Sequence, residues 1–169
     1  MKFAIVLLAA FSLSSASAQL ALGRRAPGFS LPDINQKQHD LQDYRGKVVL
    51  FDFMRTDCPK CQTLTQTLEQ VKAKYGDKVQ ILSVVTAGAD NLDTVKRYMA
   101  AHKLSNPFLF DCGQMTASYL NITPQNPQLH VPQLVVVDKT GMIRKELNEN
   151  TPNGLALPSI SAAIDPLVK

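Results

Sequence analysis

Two spacings of apolar residues alternate along the chain. "KVVLFDF" (residues 47–53) is a nearly unbroken apolar run with β-branched members, the pattern of a strand buried on both faces. Directly after it the period changes. Cys61, Leu64, Leu68, Val71 and Tyr75 fall three and four apart, one stripe of an α-helix, with Gly76 as its C-terminal stop. "VQILSVV" (79–85) predicts a second buried strand. Leu92, Val95, Met99 and His102 predict a second helix, capped by Asp90 or Asn91.

The same reading continues to the end of the chain. "PFLF" (107–110) predicts a short strand and "GQMTASYL" (113–120) a short helix. "PQLVVVD" (132–138) and "MIRKEL" (142–147) flank the turn residues Lys139, Thr140 and Gly141 and predict a hairpin. Leu157, Ile160, Ile164 and Leu167 predict a closing helix, with Pro158 in its first turn and Pro166 against its last. Ahead of all this, a short hairpin is expected near residues 29–31 and 38–41. Strands alternating with helices define an α/β fold with a mostly parallel central sheet covered on both faces, and the late hairpin adds an antiparallel edge.

The first eighteen residues do not belong to that pattern. One lysine, an apolar run from Phe3 to Phe11 and the small residues Ala16, Ser17 and Ala18 follow the order of a secretory signal peptide, with cleavage expected before Gln19. The run is short for a membrane span, and the expected new N-terminus is Gln19, where a lipid anchor would need a cysteine. Residues 19–169 are then a single domain, soluble after cleavage, working where disulfides persist: the periplasm or outside the cell. At 169 residues, 45% hydrophobic and 19% charged, the chain can build a core without staples. Its net charge of +4 is scattered among acids, which excludes a nucleic-acid surface as the reading of first choice.

Two of the three cysteines, Cys58 and Cys61, stand two residues apart at the junction of the first buried strand and the first long helix. The unpaired N–H groups and dipole of a helix N-terminus favour a thiolate at Cys58, lowering its pKa from about 8.5 by one to several units. Pro59 suits the first turn. Lys60 adds a positive charge and Asp57 opposes the thiolate. Cys61, one turn on, begins the apolar stripe and is the sheltered member. An accessible nucleophile beside a sheltered resolver is what thiol–disulfide exchange requires. A structural disulfide over so few residues constrains little chain. Zinc needs about four ligands, and the remaining candidates, Cys112, His39, His102 and His130, form no second pair. The redox pair is preferred, with the disulfide staple and the metal site as alternatives. No cofactor is expected.

"RAPGFSLPD", "LQDYRGKVVLFDF", "CPKC", "PFLFD" and "HVPQLVVVDKTG", in this order, resemble the extracytoplasmic TlpA/ResA-like thioredoxins within the alkyl hydroperoxide reductase/redoxin group; the resemblance covers about residues 24–147. It implies a thioredoxin-like three-layer sandwich and a thiol–disulfide oxidoreductase acting on protein dithiols and disulfides; in an oxidising compartment a reductase of this kind needs an electron donor, expected to be a membrane thiol partner. It also implies a cis peptide before Pro132 and a substrate contact at the backbone of Val131. Asp52 matches the buried carboxylate of ordinary thioredoxins. Set mid-strand between Phe51 and Phe53, it is expected to be desolvated, raised in pKa and able to take the proton of Cys61, unless it faces water on an edge strand. Asp90 matches an acidic residue near the family's active site, and helix capping is its alternative.

Pro59 and Lys60 belong to the surface meeting the substrate, and the dipeptide resembles those of reductive members. His130 is a candidate groove-lining residue. Three departures stand out: no aromatic residue precedes the CxxC, "TPQNPQL" (123–129) is long, and Cys112 is additional. Cys112 is expected to be a small half-buried residue, or else an extra thiol near the active-site end of the sheet. Two other functions compete with the disulfide reductase. A peroxiredoxin-like peroxidase would want Pro and Thr where Phe51 and Arg55 stand, and a copper-binding module would draw on Cys58, Cys61 and His130.

Overall fold

In the computed structural model, residues 23–86, 88 and 90–169 are described; the expected signal peptide, residues 1–18, lies outside them. The chain opens with a small antiparallel hairpin, β1 (Ser30–Pro32) and β2 (Gln38–Asp40), followed by a 3₁₀ turn capped by Asp40. Then come β3 (Val48–Met54), α1 (Pro59–Tyr75), β4 (Val79–Val85), α2 (Leu92–His102), β5 (Phe108–Phe110), α3 (Gln114–Leu120), β6 (Gln133–Val137), β7 (Ile143–Asn148) and α4 (Leu157–Ile164). The five long-range strands form one sheet in the order β5-β4-β3-β6-β7. β3, β4 and β5 run parallel, and β6 and β7 join antiparallel. The expected α/β sandwich with a mixed sheet is what the chain builds.

Alternation along β3 assigns its side chains to two layers. Val49, Phe51 and Phe53 pack with Phe29, Met115 and Tyr119 beneath the hairpin and α3. Val48 and Leu50 face the other way, onto Leu64, Leu68 and Val71 of α1 and Ile160 and Ile164 of α4. At the end of that same face, Met54 meets Cys61 of α1, Val95 and Tyr98 of α2 and Phe108 of β5. Asp52 therefore falls on the seam between two apolar clusters.

The helix ends follow local chemistry. Gly76 closes α1 at φ +54°, where a side chain would be strained. α4 carries Pro158 in its first turn and ends at Ile164, two residues before Pro166. In α2, the buried face differs from the expected stripe: Val95 and Tyr98 are buried, whereas Leu92 is 36% exposed. Leu92 is the first helical residue, while Tyr98 buries its ring and finds a partner for its hydroxyl in Thr65 Oγ1 at 3.0 Å. Asn91, not Asp90, is the N-cap, accepting from the backbone N–H groups of Asp93 and Thr94.

The β6–β7 turn is held by one carboxylate. Asp138 accepts from Thr140 N (2.8 Å), Thr140 Oγ1 (2.7 Å), Met142 N (3.0 Å) and Arg144 Nε (2.5 Å). Burial alone would raise its pKa, but these donors outweigh it and bring it down to about 2. A depressed acid contributes stability above its unfolded pKa and loses it as pH falls through the folded value. Asp138→Ala is expected to cost about 2 kcal/mol at pH 7, and the difference from the parent should vanish between about pH 4 and pH 2. Urea unfolding of both proteins across that range measures it.

Candidate active site

The polar segment of residues 55–57 separates the last residue of β3 from the first of α1, and Cys58 is the helix N-cap. Its sulfur accepts the backbone N–H of Cys61 at 3.1 Å, one of the N–H groups a helix start leaves unpaired. Pro59 occupies the first turn, where its missing N–H costs nothing. The two cysteines form a disulfide with their Cα atoms 5.2 Å apart. They are unequal: Cys58 is half-buried, whereas Cys61 is 0% exposed among Met54, Val85 and Phe108. The expected difference in exposure between the two is what the structure shows.

Opposite Cys58 lies the segment before β6. The Val131-Pro132 peptide is cis, as the resemblance implied, and the carbonyl of Val131 stands 4.0 Å from the Cys58 sulfur. Val131, Cys58, Pro59, Lys60, Arg55 and Asp57 line a shallow depression of about 380 Å³. His130 is exposed and its carbonyl accepts from Gln133 Nε2, so its role in that depression is not one the contacts provide. The long loop of residues 123–129 closes on itself through Thr123 and Asn126 and contributes no wall to it.

The nearby charges are paired with one another. Lys60 reaches Glu149, and Arg55 Nη2 donates to Asp57 Oδ2 at 2.6 Å, all of them exposed or half-exposed. Such surface pairs contribute about 0–1 kcal/mol, so the helix N-terminus is the more dependable source of positive potential at Cys58.

Asp90 is neither the helix cap nor a lone acid beside the cysteines. It accepts from Thr56 N at 2.9 Å and from the Thr56 hydroxyl, and so ties the segment that carries Cys58 to the start of α2. Gln62 Nε2 donates to the Thr56 carbonyl at 3.3 Å from the other side. Asp90→Ala is expected to leave the fold intact and loosen this segment; faster hydrogen exchange at the Thr56 amide, with an unchanged unfolding midpoint, would record it.

Asp52 is 0% exposed, as expected for a strand buried on both faces. Burial pushes its carboxyl up to about 7, with a hydrogen bond from Ser83 lowering it in part. Ser83 Oγ donates to Asp52 Oδ2 at 3.4 Å, and Oδ1 has no hydrogen-bond partner among the described residues. Ser83 in turn receives the side-chain N–H of Asn106 at 2.8 Å. Neither residue was singled out by the sequence patterns. The signal was present, since Ser83 interrupts the apolar run of residues 81–85 and stands directly across the ladder from Asp52.

Cys112 departs from the half-buried packing residue first expected. It is an exposed free thiol on a separate cavity, beside Asp111, Gln114 and the first hairpin. The neighbouring Asp111 is what is buried, accepting from Met115 N, Thr116 N and Thr116 Oγ1 at the start of α3, and this capping turns Cys112 outward. His39 is a buried packing residue, held between Asp33 Oδ2 and the Tyr44 hydroxyl. Among the described residues no cluster of three His, Cys, Asp or Glu is placed to hold a metal, and no helix is long and apolar enough to cross a membrane.

The fold and the CxxC disulfide at a strand–helix junction define a thiol–disulfide oxidoreductase of the thioredoxin kind. The chain belongs to the AhpC/TSA family, whose pattern matches residues 22–146. It is similar to the thioredoxin-like protein YneN of Bacillus subtilis, 28% identical over 123 residues that cover 72% of this chain and 68% of that protein. The thiol-disulfide oxidoreductase ResA of Bacillus thuringiensis is 25% identical over 130 residues, covering 76% and 70%. Among solved structures, a thiol:disulfide interchange protein of the thioredoxin family from Chlorobium tepidum superposes with a TM-score of 0.69 at 18% identity, over 88% of this chain and 99% of that one. A secreted disulfide oxidoreductase of Mycobacterium tuberculosis does so with a TM-score of 0.65 at 21% identity, over 82% and 96%. These two likenesses speak for the fold.

Proposed function

We propose that this protein reduces disulfides in other proteins outside the cytoplasm, with Cys58 as nucleophile, Cys61 as resolving thiol and Asp52 as the proton acceptor for Cys61. The observation that carries the reading is the inequality of the pair: a half-buried sulfur at a helix N-terminus facing Val131, and a fully buried partner one turn later. In the reduced protein the Cys58 thiolate attacks one sulfur of a substrate disulfide. A mixed disulfide forms and the other substrate sulfur leaves as a thiolate. Cys61 then gives its proton to Asp52 and its thiolate attacks Cys58, forming the Cys58–Cys61 bond and expelling the second substrate sulfur, which takes up a proton. Two electrons have passed to the substrate.

The backbone of Val131, beside Pro132, aligns the substrate strand, while Pro59, Lys60 and Asp90's brace on Thr56 shape the surface it meets. Residues 1–18 direct export and are removed, leaving one domain from Gln19 onward, so a membrane-held dithiol must return the electrons. Mass spectrometry of the protein from the exporting cell should find Gln19 at its N-terminus.

Direction is tested by equilibrating the pair in glutathione or dithiothreitol buffers and reading the oxidised fraction by alkylation. The reductase reading expects a potential near about −250 mV or lower; a value near about −120 to −150 mV would make the protein a donor of disulfides instead.

A further inference from the structure

We infer that Asn106 and Ser83 form with Asp52 a single buried hydrogen-bond chain that sets the proton affinity of Asp52, and with it the pH at which Cys61 resolves the mixed disulfide. The inference rests on the reading of Asp52 as proton acceptor. Asn106 and Ser83 are positioning residues, since neither touches a reacting sulfur.

The chain follows from the sheet. Asp52 and Ser83 are paired across the β3–β4 ladder, and both project to the α1 side, between the cluster around Leu50 and Ile81 and the cluster around Met54 and Val85. Asn106 lies just ahead of β5, two residues before Phe108, which joins the Met54 cluster. Three polar side chains thus meet in an apolar layer, at 0%, 1% and 6% exposure for Asp52, Ser83 and Asn106. Polar groups so placed must satisfy one another.

Their donors fall in one order. A serine hydroxyl has one proton to give and lone pairs to receive with. Asn106 Nδ2 donates to Ser83 Oγ at 2.8 Å, occupying a lone pair, and Ser83 directs its proton to Asp52 Oδ2 at 3.4 Å. Asn106 therefore acts on the carboxylate through the serine: it orients the hydroxyl, and a hydroxyl that itself accepts is a better donor. Donation to Asp52 favours its ionised form, the form able to receive a proton.

The other ionisable groups near this seam are Cys61 of α1 and Tyr98 of α2, which share the Met54 cluster, and Cys58 packed against it. Cys58 and Cys61 are joined in the disulfide. Burial raises the Tyr98 phenol further from its ordinary range, so it stays neutral where Asp52 titrates. Asp90 is engaged by Thr56 at the loop. Ser83 is the one hydrogen-bond donor to the Asp52 carboxylate among the described residues.

The test follows the Asp52 side-chain carboxyl carbon by NMR in the oxidised protein as pH is varied, a reading independent of turnover. Beside it runs the pH profile of mixed-disulfide resolution. Ser83→Ala is expected to raise the Asp52 titration by about one unit, a tenfold change in proton affinity, and to move the acidic limb of the rate profile up with it. Asn106→Ala should shift both in the same direction by less, and should add nothing in the Ser83→Ala background, because its effect passes through the serine. Ser83→Thr, which keeps the hydroxyl, should restore the parent profile.

A titration unmoved by Ser83→Ala overturns the inference, as does an Asn106→Ala effect that persists undiminished without the serine. Ser83→Ala removes one oxygen, so it carries the test even where Asn106→Ala does not fold. Failure of the underlying reading looks different: Asp52→Asn would then keep the parent rate profile, whatever the titrations of the other variants show.

Discussion

Cys58→Ser abolishes disulfide reduction, while Cys61→Ser stops the reaction halfway. These are the largest effects expected, and the burial of the two sulfurs separates them. Cys58 is half-buried on the depression facing Val131, so its loss removes the member of the pair that a substrate reaches. Cys61 is 0% exposed, so in Cys58→Ser it does not replace its partner as nucleophile. In Cys61→Ser, Cys58 still attacks and retains its helix N-terminus, but nothing within the protein breaks the mixed disulfide. Incubation with a protein disulfide should then yield one equivalent of covalent adduct on Cys58, visible on a non-reducing gel and released by dithiothreitol. Insulin reduction is the turnover assay, and continued turnover by Cys58→Ser would remove the mechanism. Neither change should unfold the chain: closing a loop of about four residues stabilises by only about 2 kcal/mol in the chain-entropy account.

Asp52→Asn should make the protein more stable at neutral and alkaline pH. Asp52 is fully buried and burial raises its carboxyl to about 7, from the ordinary 3.8. Between those values the folded chain holds a proton that the unfolded chain has released. Stability contributed by the protonated acid is whole below about pH 4 and declines as pH rises towards 7, above which the loss is complete. The full span amounts to about 4 kcal/mol. An amide of the same shape carries no charge to desolvate, so the variant should lack this decline and exceed the parent most at pH 8, with equality approached near pH 4. Denaturant unfolding at the two pH values decides it, and a parent whose stability rises from pH 4 to pH 8 by as much as the variant's would contradict the assignment. The same substitution removes the proposed acceptor for the Cys61 proton, so resolution should slow where stability grows. That opposition is a reason for a buried acid to persist in an apolar layer.

What the sequence disclosed followed from strong, local regularities. β4 was legible to the residue because a short β-branched apolar run, broken by Gln80 and Ser83 alone, reads as a buried strand. α1 was legible because its stripe, Pro59 and Gly76 all agree on one helix. Asp52 was legible because a lone acid within a buried strand has no exposed face to turn to. The rest depends on contacts between distant residues. Asn106 gives no periodic signal, and its meaning appears when β5 lies beside β4 and its amide reaches Ser83. Asp90 carried the right neighbourhood but not its partner, Thr56, which a fold over 34 positions supplies. Leu92 and Tyr98 exchanged places because apolarity was read as burial at a helix start, while a phenol with a partner buries readily. Cys112 turned outward because the backbone at Asp111 is committed to capping α3.

The place of β6 in the sheet has a consequence for the order in which this molecule comes into being. β3 pairs on one side with β4, its near neighbour along the chain, and on the other with β6, where Val49 meets Val137. The first partnership closes a short loop; the second waits for most of the polypeptide. Cys58 arrives with the early half and Val131 with the late one, so a nascent chain acquires its pair of sulfurs long before it has a floor on which to present them. Specificity is thus the last thing this chain learns, and reactivity the first.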